Sequence, residues 1–143
     1  MTGDDTPSQV RAAAAALIAA FARSDANAYF ACFAPDATFL FHTTAGRLSS
    51  RADYERLWAR WVAEDGFRVL SCESSEAAVD LPGAAGDVAV FSHRVRTVVQ
   101  TTSGQETVNE RETIVFARAG DHWLAVHEHL SPDPGGPVQT GWT

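Results

Sequence analysis

Two runs near the carboxyl end decide the fold: Glu110-Arg-Glu-Thr-Ile-Val-Phe-Ala-Arg118 and Gly120-Asp-His-Trp-Leu-Ala-Val-His-Glu-His-Leu-Ser131. Apolar and polar residues alternate in both, and a Gly-Asp turn joins them, which predicts an antiparallel β-hairpin. With the turn centred on Gly120, three inward pairs are expected: Phe116 with Leu124, Ile114 with Val126, and Glu112 with Glu128. Two carboxylates then face each other on an otherwise apolar surface, which is costly for structure and useful for proton chemistry.

The bulk composition excludes several classes of protein. The 143 residues suffice for one domain with a substantial core, and 45% of them are hydrophobic. A net charge of −7 disfavours binding to nucleic acid or to an anionic membrane. The two cysteines, Cys32 and Cys72, are too few for a disulfide framework and lack metal-site spacing. The polar amino terminus has no hydrophobic signal core, so a cytoplasmic protein is expected.

The first half of the chain has helical signals. Thr6-Pro-Ser-Gln9 reads as a capping box that opens a helix. Ser24-Asp25 ends it and caps a short second helix that carries Tyr29, Phe30 and Phe33, until Pro35-Asp36 breaks it. Residues 37–42 form a short strand, and Ser50 opens a third helix with an aromatic stripe that includes Tyr54 and Trp58. That stripe is either core or the wall of an aromatic pocket.

The second half consists of strands. Four β-runs, Phe67–Val79, Val88–Thr101, Gln105–Arg118 and His122–Leu130, are separated by turns rich in Gly, Pro, Ser or Asp. Helices followed by a long antiparallel sheet predict an α+β fold: a cone-shaped, curved antiparallel sheet with three N-terminal helices closing a pocket. We expect a single domain over residues 1–131, with a flexible start at residues 1–6 and a loose tail at residues 132–143.

Three segments resemble the nuclear transport factor 2-like superfamily, specifically its SnoaL-like branch. Phe33-Ala-Pro-Asp-Ala-Thr-Phe39 resembles the helix-to-strand entry of ketosteroid isomerases and polyketide cyclases, and Gly86-Asp-Val-Ala-Val90 resembles the entry to the third strand. Residues 118–131 are similar to the last hairpin of the association domain of calcium/calmodulin-dependent kinase. The resemblance spans about residues 8–131, and it is specific for fold and weak for function, because this fold hosts enzymes, ligand binders and assembly modules.

The departures from these relatives restrict the function. Phe41 stands where ketosteroid isomerases carry a catalytic aspartate, and Leu17 stands near the place of their oxyanion-hole tyrosine. Val95, Ile114 and Leu130 replace the pocket arginines of the kinase association domain. Steroid isomerisation by that machinery, and carboxylate recognition by those arginines, are therefore not expected. The resemblance implies that these strand positions line a pocket, together with Phe91, His93, Glu112, Val126 and Glu128.

The predicted catalytic cluster is Glu112, Glu128 and His93. In the expected register His93 pairs with Ile114 and lies diagonally next to Glu112. Two neighbouring carboxyl groups cannot both ionise cheaply, so one should hold a proton near neutrality while His93 orients the other or relays protons. Proton removal next to a carbonyl, dehydration and aldol-type ring closure suit such a site, and none needs a cofactor. The expected substrate is an apolar or aromatic small molecule, held by Tyr29, Phe39, Phe41, Tyr54, Trp58, Phe91, Ile114 and Val126.

Other interpretations remain open. Glu112 or Glu128 could instead bond an arginine or a backbone group, or reach solvent, which would favour a non-catalytic ligand-binding or assembly module. Epoxide hydrolysis would require an inward arginine, and none is evident. His127 and His129 point the same way and could ligate a metal, but a third ligand is hard to place, so no metal is predicted. These two histidines, with Arg94, Arg96 and Arg111, are expected on the outer sheet face, where they either belong to a subunit interface or pair with acidic residues. A homodimer is expected. His42 is expected at the surface or a loop edge, and Cys72 as inert packing.

Overall fold

The computed structural model describes residues 5–135, and these form three helices and five strands. The elements follow in this order: α1 (Thr6–Ala22), α2 (Ala26–Phe30), β1 (Phe33–Phe41), α3 (Arg51–Asp65), β2 (Arg68–Asp80), β3 (Val88–Thr101), β4 (Gly104–Ala119) and β5 (His122–Pro132). The predicted α+β class and the order of helices and strands are confirmed. Among the described residues, no helix has the length and apolar character needed to cross a membrane.

The five strands form one curved, unclosed sheet in the order β1-β5-β4-β3-β2. Strands β2 to β5 pair antiparallel with their sheet neighbours, while β1 runs parallel to β5 at one edge. Helix α1 packs against β2, β3 and β5, and α3 packs against β1. The buried core lies between the helices and the inner face of the sheet, where Leu17, Phe33 and Phe116 are almost fully enclosed.

Helix α3 begins and ends as its sequence predicts. The Ser50 side chain accepts a hydrogen bond from the backbone N–H of Asp53, which satisfies one of the free donors of the first turn. Gly66 ends the helix with φ 62°, a left-handed conformation that favours glycine. Its buried side chains, Tyr54, Trp58 and Trp61, face the core.

The start of α1 differs from the predicted capping box. Asp5, not Thr6, is the N-cap residue, and its side chain makes no capping hydrogen bond. The Gln9 side chain is engaged elsewhere, because its Oε1 accepts a hydrogen bond of 3.2 Å from the indole N–H of Trp123. Gln9 therefore fixes α1 to β5 instead of capping its own helix.

Strand β1 begins earlier than predicted. Phe33 belongs to β1 and not to the second helix, because it pairs with Ala125 of β5. The register then shifts before Thr38. The irregular segment contains Pro35, which has no N–H to donate to the sheet. The prediction that β1 begins at residue 37 recognised only its regular part.

The sheet also extends further towards the carboxyl end. Pro132 pairs with Glu110, and the backbone N–H of Asp133 donates to the carbonyl of Asn109 at 3.1 Å. The beginning of the predicted loose tail is thus held against β4. Residues 136–143 of that tail, and residues 1–4 of the predicted flexible start, lie outside the described residues, so the domain boundaries stay predictions.

Candidate functional site

The β3–β4 hairpin brings His93 directly opposite Glu112. The predicted pairing of His93 with Ile114 is wrong, because Thr101 pairs with Gly104 and the whole register follows from that turn. Phe91 is the residue opposite Ile114. His93 Nε2 lies 2.6 Å from Glu112 Oε1, and both side chains are buried. The contact is closer than the diagonal one expected from the sequence.

A β-bulge changes the pairing of β4 with β5. The register shifts between Val115 and Phe116, which pair with His127 and Ala125, and Val126 is the extra residue between them. Glu112 therefore pairs with Leu130, and Ile114 with Glu128, so the predicted direct pair of glutamates is wrong. The glutamates are diagonal neighbours instead, at 7% and 3% exposure.

The same bulge inverts the facing of the first half of β5. Trp123 and Ala125 are buried, while Leu124 and Val126 are only partly buried. The predicted partners Phe116–Leu124 and Ile114–Val126 are both wrong, because one extra residue reverses the alternation of every residue before it. Val126 is consequently not a wall of the pocket.

Glu112 and Glu128 form a coupled acid pair. Burial is the largest cause that raises the pKa of each carboxyl group. A hydrogen bond between the carboxyl groups lowers the pKa of Glu112, whereas the nearby Glu112 raises that of Glu128. Because the second charge is unfavourable in this environment, Glu112 ionises first and Glu128 keeps its proton to higher pH.

Two buried tyrosines extend this cluster into the helical layer. Tyr29 Oη donates to Glu128 Oε1 at 3.2 Å and lies 3.0 Å from Tyr54 Oη. Burial, followed by the nearby Glu128, raises the pKa of both phenols well above the ordinary value. Both hydroxyl groups therefore stay protonated and able to donate hydrogen bonds.

His93 is neutral at pH 7. Burial lowers the pKa of its imidazole to about 4, although the nearby Glu128 opposes that shift. Its Nδ1 lies 2.6 Å from the Ser74 hydroxyl, so the ring joins this exposed serine of β2 to the buried Glu112. The ring can thus orient Glu112 in either tautomer, donating to or accepting from the carboxyl group.

A second carboxyl–imidazole pair was not predicted from the sequence. Glu110 is 6% exposed, and its Oε2 lies 2.6 Å from Nε2 of His42, which follows β1. Burial and then the nearby Glu128 raise the pKa of Glu110 to about 7, and burial lowers that of His42. His42 lies at the loop edge, as expected, and is exposed as a residue, but its side chain is 22% exposed because the imidazole turns towards Glu110. Strand alternation was the available signal, because Glu110 has the same parity as Glu112.

All three glutamates line one cavity under α1 and α3. Its enclosed volume is about 50 Å³, and apolar side chains such as Leu17, Phe41 and Val95 form most of its wall. Of the predicted substrate-binding residues, Tyr29, Phe41 and Tyr54 line it. Four others are buried in the core outside its lining: Phe39, Trp58, Phe91 and Ile114.

The contacts of the glutamates bear on the interpretations left open by the sequence. Glu110 and Glu112 are hydrogen-bonded to His42 and His93, and among the described residues neither forms an ion pair with an arginine. An arginine-bound glutamate, one of the alternatives left open by the sequence, is therefore not found among the described residues.

Cys72 is a thiol at neutral pH, because burial raises its pKa to about 12.

The outer face offers no metal cluster among the residues described. His127 Nδ1 lies 2.8 Å from the Thr38 hydroxyl, and the ring centroids of His127 and His129 are 6.4 Å apart. Residues 5–135 contain no group of three or more His, Cys, Asp or Glu side chains arranged to hold a metal ion.

Comparisons with known proteins agree on the fold. A protein of unknown function in nutrient uptake from Rhodospirillum rubrum, nuclear transport factor 2-like, is 20% identical with a TM-score of 0.72, over 87% of this chain and 98% of that one. A Novosphingobium aromaticivorans protein, provisionally described as an aromatic ring hydroxylase, is 19% identical with a TM-score of 0.77, over 98% of this chain and 96% of that one. A Xanthomonas campestris protein, provisionally described as a calcium/calmodulin-dependent protein kinase II association domain, is 18% identical with a TM-score of 0.66, over 95% and 91%.

At these identities the structural likeness shows the fold alone. No curated protein sequence matches the chain. The family model of the SnoaL-like domain matches residues 10–134, which is most of the chain and includes every residue of the cavity. The protein therefore belongs to the SnoaL-like domain family.

Proposed function

We propose that this protein is a cofactor-independent acid–base enzyme, an isomerase, cyclase or dehydratase acting on an apolar or aromatic small molecule. The observation that carries the proposal is the Glu112–Glu128 pair, which is buried, hydrogen-bonded and exposed to a largely apolar cavity. A carboxyl pair in such surroundings has a base and an acid active near neutral pH, as proton transfer to and from carbon requires.

The contacts assign a role to each group. Glu112 is the base that removes a proton next to a carbonyl, and His93 positions it through the contact of 2.6 Å between Nε2 and Oε1. Glu128 is the acid, because its pKa is held higher by burial and by the nearby Glu112. Tyr29, hydrogen-bonded to Glu128, stabilises the charge that develops, and Tyr54 supports it through its contact with the Tyr29 hydroxyl, since both phenols stay protonated.

The size of the cavity restricts the substrate. An enclosed volume of about 50 Å³ holds one or two water molecules, which each occupy about 30 Å³ in the liquid. Only the reacting end of a ligand fits without movement of side chains. The partly buried Ile18 and Phe21 of α1 lie on the wall, and their displacement would admit a ring.

A non-catalytic ligand-binding or assembly module is the second candidate. The narrow cavity favours it, and so does the fold of the Xanthomonas campestris relative. The two functions differ in one property: only the enzyme uses its carboxyl groups to exchange protons with a bound carbonyl compound.

The test is hydrogen–deuterium exchange next to a carbonyl, followed by proton NMR in deuterated water. The probes are 4-hydroxybutan-2-one, which is small, and phenylacetone, which carries an aromatic ring. We expect the wild-type protein to accelerate exchange, and Glu112→Gln to reduce the acceleration about 100-fold or more. Glu64→Gln, at an exposed position of α3, is the matched control. An absence of acceleration with both probes would overturn the enzymatic proposal and leave the binding module.

The assembly and location are proposals too. We expect a cytoplasmic homodimer joined through the outer sheet face, where Val115 and His127 are half-buried beside the exposed Arg94 and Arg111. The half-buried side chains of this face suit contact with the same face of a second copy, while Arg94 is paired within its own chain, with Glu76 and Asp133. Sedimentation equilibrium measures the mass directly, and a monomer at micromolar concentration would contradict the dimer.

A further inference from the structure

We propose that Glu110 and His42 form a second proton-transfer site in the same cavity, which delivers a proton to a leaving hydroxyl group while Glu112 removes the proton on the neighbouring carbon. This inference rests on the proposed function and narrows it to the dehydration of β-hydroxy carbonyl compounds. It adds two residues that the sequence did not identify, and it explains why the cavity has three carboxyl groups where one acid pair would suffice for exchange at a single carbon.

The spacing of the two sites fits this reaction. Glu110 and Glu112 lie two residues apart on β4 and face the cavity together. Their positions on the strand are separated by about 7 Å, at about 3.4 Å for each residue. A base and an acid within about 3 Å of the atoms that they serve can span neighbouring carbons of one substrate at this separation.

The surroundings of Glu110 suit a proton donor. Its carboxyl group lines the cavity, whereas His42 is 22% exposed and connects it to solvent. With a pKa raised to about 7, Glu110 is largely protonated below that pH, and the short contact with His42 Nε2 gives it a route for recovering a lost proton. Five titratable groups contact Glu110 or interact with it electrostatically. Glu112 lies on the same strand, and four others come from other parts of the fold: His42, Tyr54, Cys72 and Glu128.

The elimination balances without a cofactor. Glu112 takes the proton from the carbon next to the carbonyl, and that electron pair forms the new carbon–carbon double bond. The carbon–oxygen bond to the neighbouring carbon breaks, and the hydroxyl group leaves as water with the proton of Glu110. His42 then returns a proton from solvent to Glu110, and the Glu112–Glu128 pair releases one.

The test follows two reactions of one probe, 4-hydroxybutan-2-one. Deuterium exchange beside its carbonyl requires only the Glu112–Glu128 pair, while dehydration to but-3-en-2-one, trapped by a thiol, requires Glu110 as well. We expect the ratio of dehydration to exchange to fall about 100-fold in Glu110→Gln and to fall in His42→Asn, with both reactions retained in Glu64→Gln. In the wild type this ratio should decrease as pH rises through the pKa of Glu110, about 7. A residue with a purely structural role would not move that profile.

The outcomes separate the two proposals. If the wild type exchanges deuterium and Glu110→Gln keeps the wild-type ratio, the second site is overturned and the acid–base enzyme stands. If the wild type accelerates neither reaction, both are overturned. Carbon-13 NMR of the glutamate carboxyl groups adds a ligand-free criterion: a Glu110 carboxyl that titrates near 4.5 and does not respond to His42→Asn would overturn the second site on its own.

Discussion

The Glu110→Gln variant should gain stability over the wild type as pH rises. Glu110 is 6% exposed, and burial raises the pKa of its carboxyl group from 4.5 to about 7. The folded state therefore binds this proton more tightly than the unfolded state does. The contribution of protonated Glu110 to the free energy of unfolding is fully present below pH 4.5. It is lost as pH rises through 7, because the buried carboxyl group must then ionise.

The size of the effect follows from those two pKa values. A change from 4.5 to about 7 corresponds to about 3 kcal/mol, at about 1.4 kcal/mol for each pH unit. Glutamine keeps the shape of the side chain and cannot ionise. The difference in free energy of unfolding, variant minus wild type, should thus increase by about 3 kcal/mol between pH 4.5 and pH 8.

Urea denaturation followed by tryptophan fluorescence at pH 4.5, 6, 7 and 8 measures this difference. Glu64→Gln controls for the loss of one carboxylate, because this exposed residue should show a difference that does not vary with pH. A Glu110→Gln difference that stays constant within about 1 kcal/mol over the range would refute the reasoning. In that case the carboxyl group ionises at its ordinary pKa, and His42 or solvent stabilises its charge.

Three further results are expected. His93→Gln should show the opposite pH dependence of stability. Burial lowers the pKa of His93 to about 4, so the free energy of unfolding of the wild type falls by about 3 kcal/mol between pH 6.5 and pH 4. Urea titrations of the variant should lack that decrease. Tyr29→Phe removes the donor to Glu128 and should raise the carboxyl pKa of Glu128 further in carbon-13 titrations, and an unchanged value would show that the hydrogen bond is not made in solution. Phe33→Ala, at 0% exposure, should lower the free energy of unfolding by about 3–5 kcal/mol in urea, and a loss below 1 kcal/mol would contradict the packing of β1.

The fold could be predicted because its main signals are periodic and local. Alternation in β3, β4 and β5 and the cap at Ser50 follow from backbone geometry within a few residues. Alternation also explains why Glu112, Glu128 and His93 were correctly expected on one face. Glu128 follows the bulge, and Glu112 and His93 lie on other strands, so the reversal of side-chain facing caused by the bulge does not affect them.

The features that the sequence did not predict are not local, since each depends on contacts between distant parts of the chain. One inserted residue at Val126 reverses the first half of β5, and nothing in the local sequence marks it. The β3–β4 register depended on which residues formed the turn, and a different choice moves every pair. His42 is at a loop edge, as expected, but its contact with Glu110 joins residues far apart in the chain and has no local signal.

The energetics of the cavity favour a functional origin for its carboxyl groups. Glu110, Glu112 and Glu128 all have a pKa raised by burial, so each opposes folding at neutral pH in proportion to its ionisation. Apolar side chains of similar volume would fill the same space without that cost. Stability therefore does not explain why three of these groups converge on one small cavity, each within contact of an imidazole or a phenol. The proposed proton transfer would explain it, because raised carboxyl pKa values, about 7 for Glu110, favour groups that gain and lose protons during catalysis.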